Sequence, residues 1–253
     1  MIKVRDVIVR FGEKTILNNV STIFNRGKTN LIIGRSGSGK TVLLKSIIGL
    51  VKITQGDILY DGIVFNKLTF MTQKEIRKEV GMIFQGSALF DSMNVEKNVM
   101  LPLDMFTEMA LEEKRDRVNF CLNRVNLINV NRLAPSELSG GMKKRVAIAR
   151  AIALNPKYLL CDEPNSGLDP HTSIVIDNLI KELTDEYDMT TIINTHDMNS
   201  VLEIGDNITF IHQGGIEWEG TKEDILHSCN NHLDELVFVS KLGKKLKKSV
   251  IGQ

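Results

Sequence analysis

The sequence predicts an α/β fold on a mainly parallel sheet, with an antiparallel β-subdomain and a helical subdomain added to it. Three observations predict this. Short apolar runs such as "LII", "YLL" and "TTII" alternate with longer helical stretches and end in polar residues, as parallel strands with functional loops at their C-terminal ends do. The first sixty residues instead alternate apolar and polar side chains between Gly, Asn and Asp turns, a pattern of antiparallel strands. The middle of the chain carries apolar residues at helical spacing.

Taken in order, "VIVRF" sets Val7, Val9 and Phe11 against Ile8 and Arg10, a half-buried strand. A turn at Asn25 to Gly27 leads to a buried strand around Leu31 to Ile33. "GDILYDG" is a strand closed by an Asp-Gly turn. From Leu111 to Leu127 the residues Val118, Cys121, Leu122 and Val125 fall at i, i+3, i+4 and i+7, an amphipathic helix. "NITFIHQGGIEWEG" predicts a terminal hairpin turning through Gly214 and Gly215.

Composition narrows the function classes. The 253 residues are 42% hydrophobic and 25% charged with a net charge of +1, ordinary for a globular protein and too balanced for a general nucleic-acid binder. Cys121, Cys161 and Cys229 share no metal-ligand spacing, which suits a reducing compartment. No apolar run approaches the ~20 residues of a membrane span, and "MIKVRDVIVRFG" is no signal peptide. Cytoplasmic placement is expected, with any membrane work done by other subunits.

"GRSGSGKT", Gly34, Arg35, Ser36, Gly37, Ser38, Gly39, Lys40 and Thr41, follows the strand "LII" and opens the helix "TVLLKSIIGL". That context makes it a phosphate-binding loop and the core a P-loop NTPase. Lys40 is expected to reach the β and γ phosphates and the Thr41 hydroxyl to bind Mg²⁺. "YLLCDEP" ends a strand in two acids, so Asp162 is assigned to the metal and Glu163 to the attacking water. Cys161 in the same strand is read as a small core residue.

A second anion site is implied by "SELSGGMKKRVAIARA", where a glycine pair opens a helix whose first turns hold Lys143, Lys144 and Arg145. Cations oppose the dipole at a helix N-terminus unless an anion docks there. Lys143 and Lys144 are otherwise read as a solvated face.

"LSGG" at Leu138 to Gly141, followed shortly by "DEPNSGLDP", makes the chain resemble the nucleotide-binding subunit of ATP-binding cassette (ABC) transporters over residues 2 to 227. The resemblance implies a homodimer packed head to tail, each copy closing Ser139, Gly140 and Gly141 over ATP and Mg²⁺ held by the other. It implies that Gln85 in "MIFQ" senses Mg²⁺ and the transmembrane partner, and that Asp169 lies in the loop crossing between subunits. It implies that His196 in "NTHD" contacts the γ-phosphate, and that Phe11 stacks on adenine; the pattern alone equally places Phe11 in the core. The implied domain spans 1–227, with its helical subdomain at about 88–155, and 228–253 is a C-terminal extension. Integral membrane permease subunits, a small accessory subunit and a substrate-binding protein are the implied partners, at the cytoplasmic face of the inner membrane.

Met142 follows "LSGG" where the family more often has glutamine, and a thioether cannot donate to ribose or phosphate. This and "FQGSALFDSMNVEKNVMLPL" make the chain similar, within the family, to the ATPase subunit of Mla-type phospholipid transporters; import of a polar solute is the alternative cargo. A non-transport cassette ATPase is disfavoured by the single phosphate loop and the absence of a heptad stretch. Met82, Met93, Met100, Met105 and Met109 are expected either as an adaptable docking groove or as core packing. The basic tail "KLGKKLKKSVIGQ" is expected to be solvated, or to meet an anionic leaflet or a partner.

Overall fold

This computed structural model describes residues 1–238; the basic tail lies outside them. The chain opens with β1 (Ile2–Phe11) and β2 (Lys14–Phe24), paired antiparallel around Gly12. It then enters β3 (Lys28–Ile33) and α1 (Lys40–Ile47). β4 (Gln55–Tyr60) returns to pair with β1, and Asp61 and Gly62, both at positive φ, turn it into β5 (Ile63–Val64). α2 (Phe70–Lys78) leads to β6 (Val80–Ile83), and α3 (Val95–Phe106), α4 (Leu111–Arg124) and α5 (Gly140–Ala151) pack on one another. β7 (Tyr158–Asp162), α6 (Pro170–Glu186), β8 (Thr190–Asn194), α7 (Met198–Ile204) and β9 (Asn207–His212) complete the alternation. β10 (Gly215–Gly220), α8 (Lys222–His227) and α9 (Asn231–Val237) close the described chain.

Two sheets result. The antiparallel one runs β2-β1-β4-β5, and the other runs β10-β9-β3-β8-β7-β6 with all pairs parallel except β10 on β9. The alternation of side chains along a strand then divides the core. Ile32, Leu160, Ile192 and Ile211 face the antiparallel sheet and Leu43, Leu44 and Ile47 of α1. Leu31, Ile33, Leu159, Cys161 and Ile193 face Val95, Val99, Val118, Val146 and the helices that carry them. Cys161 is fully buried there, and burial pushes its thiol well above the usual range. No helix among the described residues is long and apolar enough to cross a membrane.

Several expectations shift. The amphipathic helix ends at Arg124, three residues early. Asn126 is left-handed with φ 55° and Leu127 N–H reaches back to the Leu122 carbonyl at 2.9 Å, which closes the last turn. The terminal hairpin turns through Gln213 and Gly214, with φ 46° and 82°, so Gly215 is already in the strand. Phe11 is 54% exposed at the end of β1 and is no core residue. The methionines do not form one groove. Met100 is buried in the helical core, Met82 packs on the antiparallel side of the sheet and Met105 stands in solvent.

Candidate functional site

Strand order assembles the site. β3, β8, β7 and β6 are parallel and adjacent, so the loops leaving their C-terminal ends meet along one sheet edge. Those loops carry Gly34 to Gly37, Gly39 to Thr41, His196, Glu163 and Gln85, which line a common cleft of about 780 Å3 with Ile16 and Leu236. That volume suits a nucleotide-sized ligand.

The phosphate loop fits tightly under neighbouring backbone. A Cβ on Gly34 would come within 2.4 Å of the Ile211 carbonyl oxygen, so only glycine lets the loop leave β3 here. Lys40 is 6% exposed, and its ammonium donates to the Gly34 carbonyl at 2.8 Å and the Arg35 carbonyl at 3.1 Å. Burial lowers its pKa, against the opposing pull of Glu163 and Asp162. The Ser38 hydroxyl is buried under the same loop without a hydrogen-bond partner. A buried cation beside an unpartnered hydroxyl, under a glycine-shaped cradle, fits a phosphate ligand.

Asp162 and Asn194 end neighbouring strands in direct register. Asp162 Oδ1 accepts from Thr41 Oγ1 and from Asn194 Nδ2, each at 3.1 Å. A hydroxyl and a carboxylate side by side are hard oxygen donors of the kind Mg²⁺ takes. Asn194 Oδ1, buried and unpartnered, is a further polar atom beside them.

Glu163 follows in the left-handed region with φ 48°, its N–H bonded to the Asn194 carbonyl at 3.0 Å. The turn aims its carboxylate between two partners from other strands. Gln85 Nε2 donates to Oε2 at 2.8 Å, and His196 Nδ1 lies 3.1 Å from Oε1. Gln85 is itself anchored, because the Lys144 ammonium donates to its backbone carbonyl. Lys144 is only 5% exposed and burial lowers its pKa, which corrects its reading as a solvated face.

The residues of the second expected anion site lie elsewhere. Ser139 caps α5, its Oγ accepting from the Met142 N–H at 3.2 Å. Asp169 caps α6, accepting from the Thr172 N–H at 3.0 Å, and the Thr172 hydroxyl and backbone bonds hold its carboxyl below the usual range. Ser139, Gly140, Gly141, Met142 and Asp169 line a separate cleft of about 490 Å3 that shares no residue with the first. One chain therefore brings Lys40, Thr41, Gln85, Asp162, Glu163 and His196 together and leaves Ser139 and Asp169 apart. Phe11 lines neither cleft.

The sequence reading missed Ile16 and Leu236 in the cleft wall. It also missed Glu235, whose carboxylate pairs with Arg35 of the phosphate loop at 2.8 Å. β2 and α9 reach the cleft through tertiary packing, for which no local pattern exists.

Comparison with known proteins agrees with this geometry. A family model described as ABC transporter matches residues 17–166. The chain is 40% identical over 228 residues to the intermembrane phospholipid transport system ATP-binding protein MlaF of Haemophilus influenzae, covering 90% of this chain and 86% of that one. It is 38% identical over 236 residues to the methionine import ATP-binding protein MetN of Carboxydothermus hydrogenoformans, covering 93% and 70%. A dimeric structure of the ATP-binding cassette MJ0796 in a post-hydrolysis state, bound to ADP and Pi, superposes with a TM-score of 0.80 at 35% identity. It covers 88% of this chain and 99% of that one.

Proposed function

The chain belongs to the ABC transporter family as one of its ATPase subunits, and we propose on that premise how its residues divide the work. The observation that carries the assignment is the bracketing of Glu163 by Gln85 and His196 at the mouth of the phosphate-loop cleft. Gly34 to Thr41 cradle the phosphates of ATP, and Lys40 turns its ammonium from the loop carbonyls to phosphate oxygens. Thr41, Asp162 and Gln85 are the residues that would hold Mg²⁺, which supplies Lewis-acid neutralisation of phosphate charge. Glu163 accepts the proton of the attacking water, a role that supplies typically ~10²–10⁴-fold. Gln85 and His196 fix its carboxylate for that task, and His196 keeps Nε2 for the γ-phosphate. Phe11 offers its exposed ring to adenine.

Two clefts on one chain support a head-to-tail homodimer, in which Ser139, Gly140, Gly141 and Asp169 of one copy complete the phosphate-loop cleft of the other. ATP closes the dimer and hydrolysis reopens it. Met142 leaves the contacts of Ser139 intact, so turnover survives its departure from glutamine. The cassette spans 1–227 with its helical subdomain at about 88–155, and permease subunits bring it to the cytoplasmic face of the inner membrane. An accessory subunit and a substrate-binding protein complete the transporter.

Phospholipid is the proposed cargo, supported by the likeness to MlaF; the likeness to MetN supports a polar solute as the alternative. This subunit touches neither, so the cargo rests on resemblance alone. Deleting the gene tests it. Envelope leakiness to detergent with altered outer-leaflet lipid supports phospholipid. Lost uptake of an amino acid with an unchanged envelope supports the alternative.

A further inference from the structure

The β9–β10 hairpin and α9 share a cluster that the phosphate-loop cleft does not use. His212 ends β9, Glu217 stands in β10 and His232 lies in the first turn of α9. His232 Nδ1 is 2.7 Å from Glu217 Oε1, and His212 Nδ1 is 3.9 Å from Glu217 Oε2. The two imidazoles stack with centroids 4.2 Å apart and planes 8° from parallel. One ligand atom from each of the three residues lies within 4.8 Å of the other two.

We propose that His212, Glu217 and His232 bind a divalent transition-metal ion of the Zn²⁺ class, which fastens α9 to the hairpin. Two imidazole nitrogens and one carboxylate oxygen form a donor set for a borderline ion rather than for Mg²⁺ or Ca²⁺. Bonds of 2.0–2.2 Å at tetrahedral angles set ligand atoms about 3.3 Å apart. The observed 2.7 Å to one Glu217 oxygen and 3.9 Å to the other bracket that spacing, and the imidazoles turn out of their parallel stack to aim both ring nitrogens at one ion. Asn230 Nδ2 donates to Glu217 Oε1 at 3.1 Å, an outer contact of the kind that orients a metal-binding carboxylate. Glu217 and His232 are exposed, which gives an ion its entry path and leaves its fourth position to water. The ion would also steady the cleft wall, because α9 carries Glu235, the partner of Arg35, and Leu236, which lines the cleft.

The test uses the full chain, stripped with a chelator and kept in excess Mg²⁺, titrated with Zn²⁺ alone by calorimetry and against a chromophoric zinc indicator. One Zn²⁺ per chain is expected, with a rise in melting temperature and a change in emission from Trp218, the single tryptophan, beside Glu217. His232→Ala and Glu217→Gln should each weaken binding at least about tenfold and abolish the rise, while melting like the parent in chelator. Zn²⁺ binding that survives the double variant His212→Ala/His232→Ala would overturn the proposal. Absence of stoichiometric binding would do so too, as would binding lost in Cys229→Ser but kept in His232→Ala.

Discussion

Gln85 donates a hydrogen bond of 2.8 Å to Glu163 across 78 residues of sequence. The bond links the loop after β6 to the loop after β7, and behind it Lys144 of α5 holds the Gln85 carbonyl. With His196 against the other oxygen, the loops after β6 and β8 hold one carboxylate and α5 backs the first of them.

Lys144→Met keeps most of the buried volume but removes the donor to that carbonyl. The Ser166 hydroxyl, 3.5 Å from the same oxygen, is a weak replacement. Turnover should fall about tenfold with little change in KM for ATP, because positioning rather than binding is lost. Steady-state phosphate release over a range of ATP concentrations separates the two.

Glu163→Gln cannot accept a proton from water. Phosphate release should fall at least about 100-fold while ATP still binds, and a dimer should accumulate with ATP and Mg²⁺ in size-exclusion chromatography. Turnover like the parent's would remove Glu163 from its role.

Lys40→Ala and Ser139→Arg should each be inactive alone, the first for want of a phosphate ligand and the second because arginine blocks the facing surface. In the proposed head-to-tail pairing, a mixed dimer would contain one site with both lesions and one with neither. Recovery of phosphate release on mixing is expected; full activity of Ser139→Arg by itself would exclude action across the dimer.

Asp177 gives a stability signal that depends on pH. It is 3% exposed, accepts from Ser200 at 2.6 Å and from Asn165 at 3.1 Å, and burial pushes its pKa up to about 6 from 3.8. Asp197 adds to the rise. The folded chain therefore keeps a proton that the unfolded chain releases between those values. That stabilisation is full below pH 3.8 and lost as pH rises through about 6. At about 1.4 kcal/mol per unit the swing is at most about 3 kcal/mol. Asp177→Asn should lack it, so urea unfolding of parent and variant should diverge, in the variant's favour, from pH 4 to pH 7.

What the sequence revealed follows from how local each signal is. The phosphate loop, the acidic strand end and "LSGG" are contiguous, and their backbone context is set within a dozen residues. The parallel sheet was legible because its strands are uninterrupted apolar runs. Lys144 was misread although it lies on the buried stripe of α5, one helical turn before Ile148, since its charge masked the periodicity. The five methionines are close in sequence, yet β6, α3 and the loops on either side of α3 send them to different surroundings. Nothing local announces that α9 returns to the phosphate loop, because that approach depends on how the hairpin before it packs.

The left-handed backbone of Glu163 has a consequence for how this chain evolves. That conformation costs a residue with an ordinary side chain about 1–2 kcal/mol, whereas asparagine or glycine adopts it more readily. Heat-challenge selection on a library varied at position 163 would thus enrich asparagine and glycine and discard the native glutamate. Selection for growth on transport would restore it. The position sets survival of the fold against survival of the cell, and only the second keeps the acid in place.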